Sequence, residues 1–225
     1  MITVREIKKI FESPEYQSDL SELSSYAESI QQERPIVYLL SKYLYPRHKI
    51  ELEKRLPLEQ PVEQGKQKRS ICDLVVDGRK IEFKFCYDWH IDFYLKKELA
   101  KYTPDKRLWE AVKNPKDIHP GWSVTPHIYK DVLEKEADIF VWIICARDLK
   151  DVNRADVRRI ADNPQQLKYN GDNPGSTEFL ASVDLLLNKL QGRRPFSIDK
   201  NVEIHTSGHF PSTYYLRLCE FECNH

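Results

Sequence analysis

Alternation of apolar and polar residues is sharpest from Ser70 to Tyr87, SICDLVVDGRKIEFKFCY, which reads as two short strands joined by Asp77-Gly78. A type I′ turn needs positive φ at both central residues, and Asp followed by Gly tolerates it. With that loop Val76 faces Arg79, and counting outward sets Asp73 opposite Glu82. Side chains alternate along each strand, and opposed residues share a face. One face of the hairpin therefore carries Cys72, Leu74, Val76, Ile81, Phe83 and Phe85, suited to a core. The other carries Ile71, Asp73, Val75, Lys80, Glu82 and Lys84, a wet face.

Elsewhere the spacing alternates between helical and extended. Ile2 to Phe11 is a short helical pattern, followed by a Ser-rich stretch through Ser29 that continues as helix. Glu33-Arg34-Pro35 opens a clear helix, because Pro is favoured in a first turn and Ile36, Val37, Leu39, Leu40, Tyr43 and Leu44 recur at helical spacing; Pro46 ends it. His48 to Leu56 alternates in part and predicts a strand. Ile91 to Tyr102 predicts an amphipathic helix, and Thr125-Pro126 opens another that runs to about Glu136. Asp138 to Ala146, DIFVWIICA, is the most apolar run and suits a central strand buried on both faces. Helices over Asp151 to Asp162 and Thr177 to Gln191, with Gly192 as a stop, precede strands over Asn201 to Thr206 and Thr213 to Phe221. This order predicts an α/β (α+β) fold, a central mixed β-sheet flanked by helices. A single domain over 1–225 is expected, with its core about 33–146, an N-terminal helical segment over 1–32 and C-terminal helices and strands over 150–225.

Composition narrows the classes. Lys plus Arg and Asp plus Glu both number 35, so a nucleic-acid surface would have to be a local patch. Such patches are offered by Lys66, Lys68 and Arg69 before the hairpin, by Lys96 and Lys97, and by Arg154, Arg158 and Arg159; the plain alternative for each is a solvated edge. The N-terminus lacks the apolar core of a signal peptide and no segment approaches a membrane span, which predicts a soluble, cytoplasmic protein. Cys72, Cys86 and Cys145 sit in apolar runs as small hydrophobes. Cys219, Cys223 and His225 lack a second pair with zinc-site spacing. His205 and His209 are expected to be structural or at the surface, and Trp122 to pack a loop.

The candidate chemistry lies on the wet face of the hairpin. Two opposed carboxylates, Asp73 and Glu82, repel unless something positive lies between them. A divalent cation resolves the conflict, with Lys84 nearby; Mg²⁺ takes one or two carboxylates plus water and phosphate oxygens. An amphipathic surface hairpin laced with ion pairs among Lys80, Glu82 and Lys84 is the simpler alternative.

Asp73, eight residues, then Glu82-Phe83-Lys84 resembles the D…(D/E)xK signature of the PD-(D/E)xK nuclease superfamily, which has the restriction-endonuclease-like fold; Cys72 stands where the usual proline precedes the aspartate. The resemblance covers roughly residues 33 to 146. It implies metal ligation by Asp73, Glu82 and the backbone carbonyl of Phe83, a catalytic role for Lys84, and an acidic residue on the preceding helix. Glu33 is the best-placed candidate for that acid, Glu28 the fallback, and an ordinary helix N-terminal acid the alternative for Glu33. The implied function is metal-dependent endonucleolytic hydrolysis of DNA with Mg²⁺, or Mn²⁺ in its place, in a restriction, repair or mobile-element enzyme that acts as a homodimer on two-fold symmetric sites. A non-catalytic nucleic-acid or protein-binding module with the same fold, or a nuclease acting on RNA, are the competing expectations.

Overall fold

The computed structural model describes residues 1–26, 33–56, 71–87, 135–146, 154–163, 176–192, 194–207 and 212–222. The chain divides into two compact units. One comprises Met1–Phe85, Asp131–Ile143 and Phe196–His225; the other comprises Cys86–Lys130 and Ile144–Pro195.

In the first unit three helices open the chain: α1 (Val4–Phe11), α2 (Pro14–Tyr26) and α3 (Glu33–Leu44). Helix α1 starts where the Thr3 side chain accepts from the Glu6 N–H, and α2 where Ser13 Oγ accepts from the Tyr16 N–H with Pro14 in the first turn. The helical reading of residues 2–26 thus holds with a break at Ser13, since a cap and a proline cannot lie inside a continuous helix. Tyr16 is buried at the junction of the three helices. Its ring meets Phe11 and Tyr43 edge-on and its hydroxyl donates to Ile36 O at 3.2 Å. Burial pushes its hydroxyl well above the usual tyrosine range.

The strands β1 (Ile50–Arg55), β2 (Ile71–Val76), β3 (Arg79–Tyr87), β4 (Ile139–Ala146), β5 (Phe196–His205) and β6 (Thr213–Phe221) form one sheet in the order β1-β2-β3-β4-β6-β5. The sheet is mixed and the class is α+β, as the order of elements predicts. Helices α1 and α2 pack against β5, and α1 also against β6. β1 and β2, β2 and β3, and β5 and β6 pair antiparallel. The turn between β2 and β3 is Asp77-Gly78, with φ of 50° and 88°. Leu74 faces Ile81, Val75 faces Lys80 and Val76 faces Arg79, the register that the two-residue loop requires. Asp138 fixes the entry to β4: its carboxylate accepts from Lys80 N–H at 2.7 Å, its own N–H donates to Lys80 O, and its carbonyl accepts from Phe221 N–H. From there Ile139 to Cys145 are fully buried, as a run with no polar position requires.

β5 begins at Phe196, five residues before the strand read from alternation. Its pairing with β6 shifts register between Asp199 and Val202. The bulge breaks the two-residue period, hiding the first half of the strand. Arg217 is buried beside it and donates to Lys200 O at 3.2 Å.

In the second unit α4 (Arg154–Asp162) packs against α5 (Ser176–Gln191), which buries Leu180, Ala181, Val183, Leu187 and Leu190. Arg158 and Arg159 are exposed on α4, and Arg159 pairs with Asp156 at 3.0 Å. The expected helices over 91–102 and 125–136 lie outside the described residues, save Lys135 and Glu136, which are not helical.

Candidate active site

The site is built on β3 between Glu82 and Phe85. Because β3 is an interior strand, its second face is covered as well. Glu82 is 0% exposed and Val75, on the same face, 2%, so the wet face of the surface-hairpin alternative does not extend to these two positions. It holds better at Ile71, which is exposed, and at Lys80 and Lys84, which are half-buried. The apolar face is as expected at Cys72, Leu74, Val76, Ile81 and Phe83, all buried. Arg79 shares that face and is buried too. Its Nη1 donates at 2.7 Å both to Glu220 Oε1 and to Ile2 O, so its charge is matched.

The paired register of β2 and β3 runs from Val76 and Arg79 to Leu74 and Ile81, and Asp73 and Glu82 are the next residues along the two strands beyond it. The two carboxylates are held by different cationic or N–H partners. Asp73 Oδ2 accepts from the Phe83 N–H at 2.8 Å. Glu82 Oε2 meets Lys135 Nζ at 2.6 Å, with the lysine side chain 14% and the glutamate 1% exposed. Lys135 lies 53 residues along the chain, and it supplies the positive charge that a metal or Lys84 was expected to supply. Lys135 is itself placed from β3: Lys80 Nζ donates to its carbonyl at 3.0 Å.

Glu33, the first residue of α3, reaches the same strand. Its Oε2 accepts from the Phe85 N–H at 2.9 Å. N–H groups two residues apart on a strand point to the same side, roughly 7 Å from one another. The Glu33 and Asp73 carboxylates therefore cap consecutive donors on one side of β3, flanking Lys84 in sequence. That is a more specific placement than an acid complementing a helix dipole. Charge-assisted bonds of this kind are about twice as strong as neutral ones and fix the acids against the strand. Lys84 has no ion pair among the described residues, so its ammonium is not committed to Glu82.

A fourth acid was not singled out from the sequence. Leu52 pairs with Leu74 and Lys54 with Cys72, which brackets Glu53 against Asp73. Glu53 adopts φ of 48°, and its Oε1 is held by Arg34 Nε at 3.4 Å and by the Tyr38 hydroxyl at 3.2 Å, both from α3. Its signal in the sequence was only its place in a partly alternating strand.

Cys72 lies behind the acids. Burial pushes its thiol up to about 12, with the Glu82 charge adding to the effect, so it is a buried hydrophobe rather than a nucleophile. Cys145 and Cys219 are likewise buried. His205 is at the surface, its Nδ1 3.2 Å from Thr213 Oγ1. Glu28, Lys66, Lys68, Arg69, Lys96, Lys97, Trp122, His209, Cys223 and His225 lie outside the described residues.

The donor chemistry of Glu33, Asp73, Glu82 and the Phe83 carbonyl, all hard oxygens, fits Mg²⁺. Among the described residues, however, no three His, Cys, Asp or Glu side chains gather as a metal-holding group. The acids are engaged instead by the Phe83 and Phe85 N–H groups and by the Lys135 ammonium, so for Glu82 to act as a ligand Lys135 has to move. No helix among the described residues is long and apolar enough to cross a membrane. Compared with protein-family models, with curated proteins and with solved structures, the chain gives no match in any of the three.

Proposed function

We propose that the chain is a metal-dependent endonuclease with a restriction-endonuclease-like fold, hydrolysing DNA phosphodiester bonds with Mg²⁺ or Mn²⁺ at the site on β3. The observation that carries this reading is the convergence of Glu33 from α3 and Asp73 from β2 on the Phe85 and Phe83 N–H groups, either side of Lys84. It supports the order helix acid, strand acid, Glu-x-Lys on an interior hairpin, which the resemblance implies. In this reading Asp73, Glu82 and the Phe83 carbonyl, with Glu33, would hold a divalent cation, which would supply polarisation of the scissile phosphate and activation of a water. Lys84 orients or deprotonates that water, or stabilises the charge that develops on phosphorus oxygens. The buried thiols of Cys72, Cys145 and Cys219 suit a reducing compartment such as the cytoplasm. A homodimer is the assembly that a two-fold symmetric DNA target would call for.

A second reading is favoured by the Lys135–Glu82 pair: a non-catalytic binding module in which an ammonium permanently neutralises the buried acid. Cleavage of supercoiled plasmid and of single-stranded DNA with Mg²⁺ or Mn²⁺, with EDTA controls, separates the two. The nuclease reading predicts metal-dependent nicking that Asp73→Ala abolishes. Cutting retained in Asp73→Ala would remove the site assignment, and no cutting under any metal would favour the binding module.

A further inference from the structure

We propose that helix α1 and the connection between α3 and β1 form a basic ridge apart from the site on β3, which takes the phosphates of a single-stranded DNA segment while Tyr45 stacks on one of its bases. The ridge needs no metal, so the inference goes beyond the reading above and serves a nuclease and a binding module alike.

The connection reads KYLYPRHK over residues 42–49. It interleaves cations for a phosphate backbone with flat rings for bases, the combination that single-strand contacts use. Lys42 is engaged by Asp19 and Tyr43 lies against Tyr16, which leaves Tyr45, Arg47 and Lys49 for a ligand. Their backbone is fixed. The Leu44 carbonyl accepts from the Arg47 and His48 N–H groups at 3.0 and 3.1 Å. Lys49 exchanges bonds with the hairpin turn, its N–H donating to Asp77 Oδ1 and its carbonyl accepting from the Asp77 N–H, both at 3.0 Å. His48, 9% exposed, ties the connection to α1 by lying between Asp77 Oδ2 and Glu6 Oε1. These two acids are thereby engaged: Glu6 also meets Arg47 Nη1 at 3.5 Å, and the hydrogen bonds to Asp77, then to Glu6, raise the His48 pKa and favour its charged form. Arg5 and Lys9 are exposed one turn apart on α1, and Lys49 is exposed beside Asp77; none of the three has an ion pair among the described residues. Lys8, in contrast, is turned to Asp199 on β5 at 2.8 Å. Arg5, Lys9, Arg47 and Lys49 thus outnumber Glu6 and Asp77 in a chain whose charges balance as a whole, a local excess that suits a polyanion. The Tyr45 ring is 76% exposed; it adds little to the core and offers a face to a base. Asp77, at the edge of the ridge, lies roughly 13 Å along the hairpin from Asp73.

Fluorescence anisotropy of a labelled single-stranded oligonucleotide, titrated with the full chain in EDTA at several salt concentrations, tests this without any cleavage. Each cation seated on a phosphate of a single strand contributes about 0.7 to the slope of log affinity against log salt. The double variant Arg47→Ala, Lys49→Ala is therefore expected to lower the slope by about 1.4 and to bind about twentyfold more weakly at 0.1 M salt. Both side chains are exposed, so the variant should keep the circular dichroism of the wild type. Tyr45→Ala is expected to lose about tenfold in affinity at an unchanged slope, and Tyr45→Phe to bind like the wild type, because the ring and not the hydroxyl stacks. Unchanged slope and affinity in the double variant overturn the ridge. So do an absence of wild-type binding at low salt and displacement of the DNA by polyglutamate as readily as by unlabelled DNA. Wild-type affinity in Tyr45→Ala overturns the stacking. The site on β3 is judged separately. Metal-dependent cleavage with undiminished binding in the variants keeps the nuclease and removes the ridge; ridge-dependent binding with no cleavage under any metal does the reverse.

Discussion

Replacing Lys135 by methionine should destabilise the protein by an amount that the geometry allows to be worked out. The substitution keeps the length and apolar stem of the side chain and removes the ammonium 2.6 Å from Glu82 Oε2, leaving a fully buried carboxylate beside a thioether. Removing one member of a buried pair typically costs about 3–5 kcal/mol. The cheapest relief is protonation of the acid. For an ordinary glutamate of pKa near 4.3, protonation at pH 7 costs about 3.7 kcal/mol. The expected loss at pH 7 is therefore about 3.5 kcal/mol, and protonation limits it to less at lower pH, by about 1.4 kcal/mol per pH unit. At pH 5.5 it should have fallen to roughly 1.6 kcal/mol. For a chain of this size the pH 7 loss corresponds to a fall in Tm of about 7–14 °C. Urea denaturation followed by circular dichroism at both pH values gives the two numbers, and the Lys135→Met, Glu82→Gln double variant should recover most of the loss. A cost below about 1 kcal/mol at pH 7, or an equal cost at both pH values, would refute the claim that Lys135 is the counter-ion of this buried acid.

Two further predictions concern the surroundings of the site. His48 bridges Asp77 Oδ2 at 2.7 Å and Glu6 Oε1 at 3.1 Å; the hydrogen bond to Asp77, then that to Glu6, raises its pKa above the ordinary 6.5, while the bond from His48 holds Asp77 below the ordinary 3.8. The bridge therefore stabilises fully between about pH 3.8 and 6.5 and is lost as pH rises through the raised histidine value; Tm should decline from pH 6 to 8.5, and a His48→Gln variant with the same slope would show that the bridge is not responsible. The Cys72 thiol, buried and pushed up to about 12, should resist iodoacetamide at pH 8 in the folded protein and react in urea, as read by peptide mass; modification at the rate of a free cysteine would contradict its burial.

What the chain disclosed in advance was what short-range pattern encodes. Asp77-Gly78 fixed the hairpin register because a two-residue loop permits only one, and the uninterrupted apolar run of β4 had no face to turn to water. Glu33 was placed by the helix that it opens. The misses have the same kind of cause in reverse. Alternation named a wet face for β3, but which faces of an interior strand are covered depends on elements distant in sequence, so the burial of Glu82 was not legible. Lys135 is separated from Glu82 by more than fifty residues, and nothing local marks a lysine that will turn inward. The first half of β5 was hidden by the bulge at Asp199, and Glu53 by a left-handed backbone at a residue that ordinarily avoids it. The two acids expected to share a cation have separate partners, Glu82 the Lys135 ammonium and Asp73 the Phe83 N–H.

The measurement that tests the central claim most directly pairs cleavage with binding in one variant. Lys84→Ala is compared with the wild type in Mg²⁺-dependent plasmid cleavage, and in DNA binding with Ca²⁺ in place of Mg²⁺. Lys84 has no ion pair among the described residues, is half-buried, and lies in sequence between the two residues whose N–H groups the acids hold, so its removal should leave folding and binding largely intact and reduce cleavage by at least about a hundredfold. Undiminished cleavage by Lys84→Ala would contradict the assignment of β3 as a nuclease site.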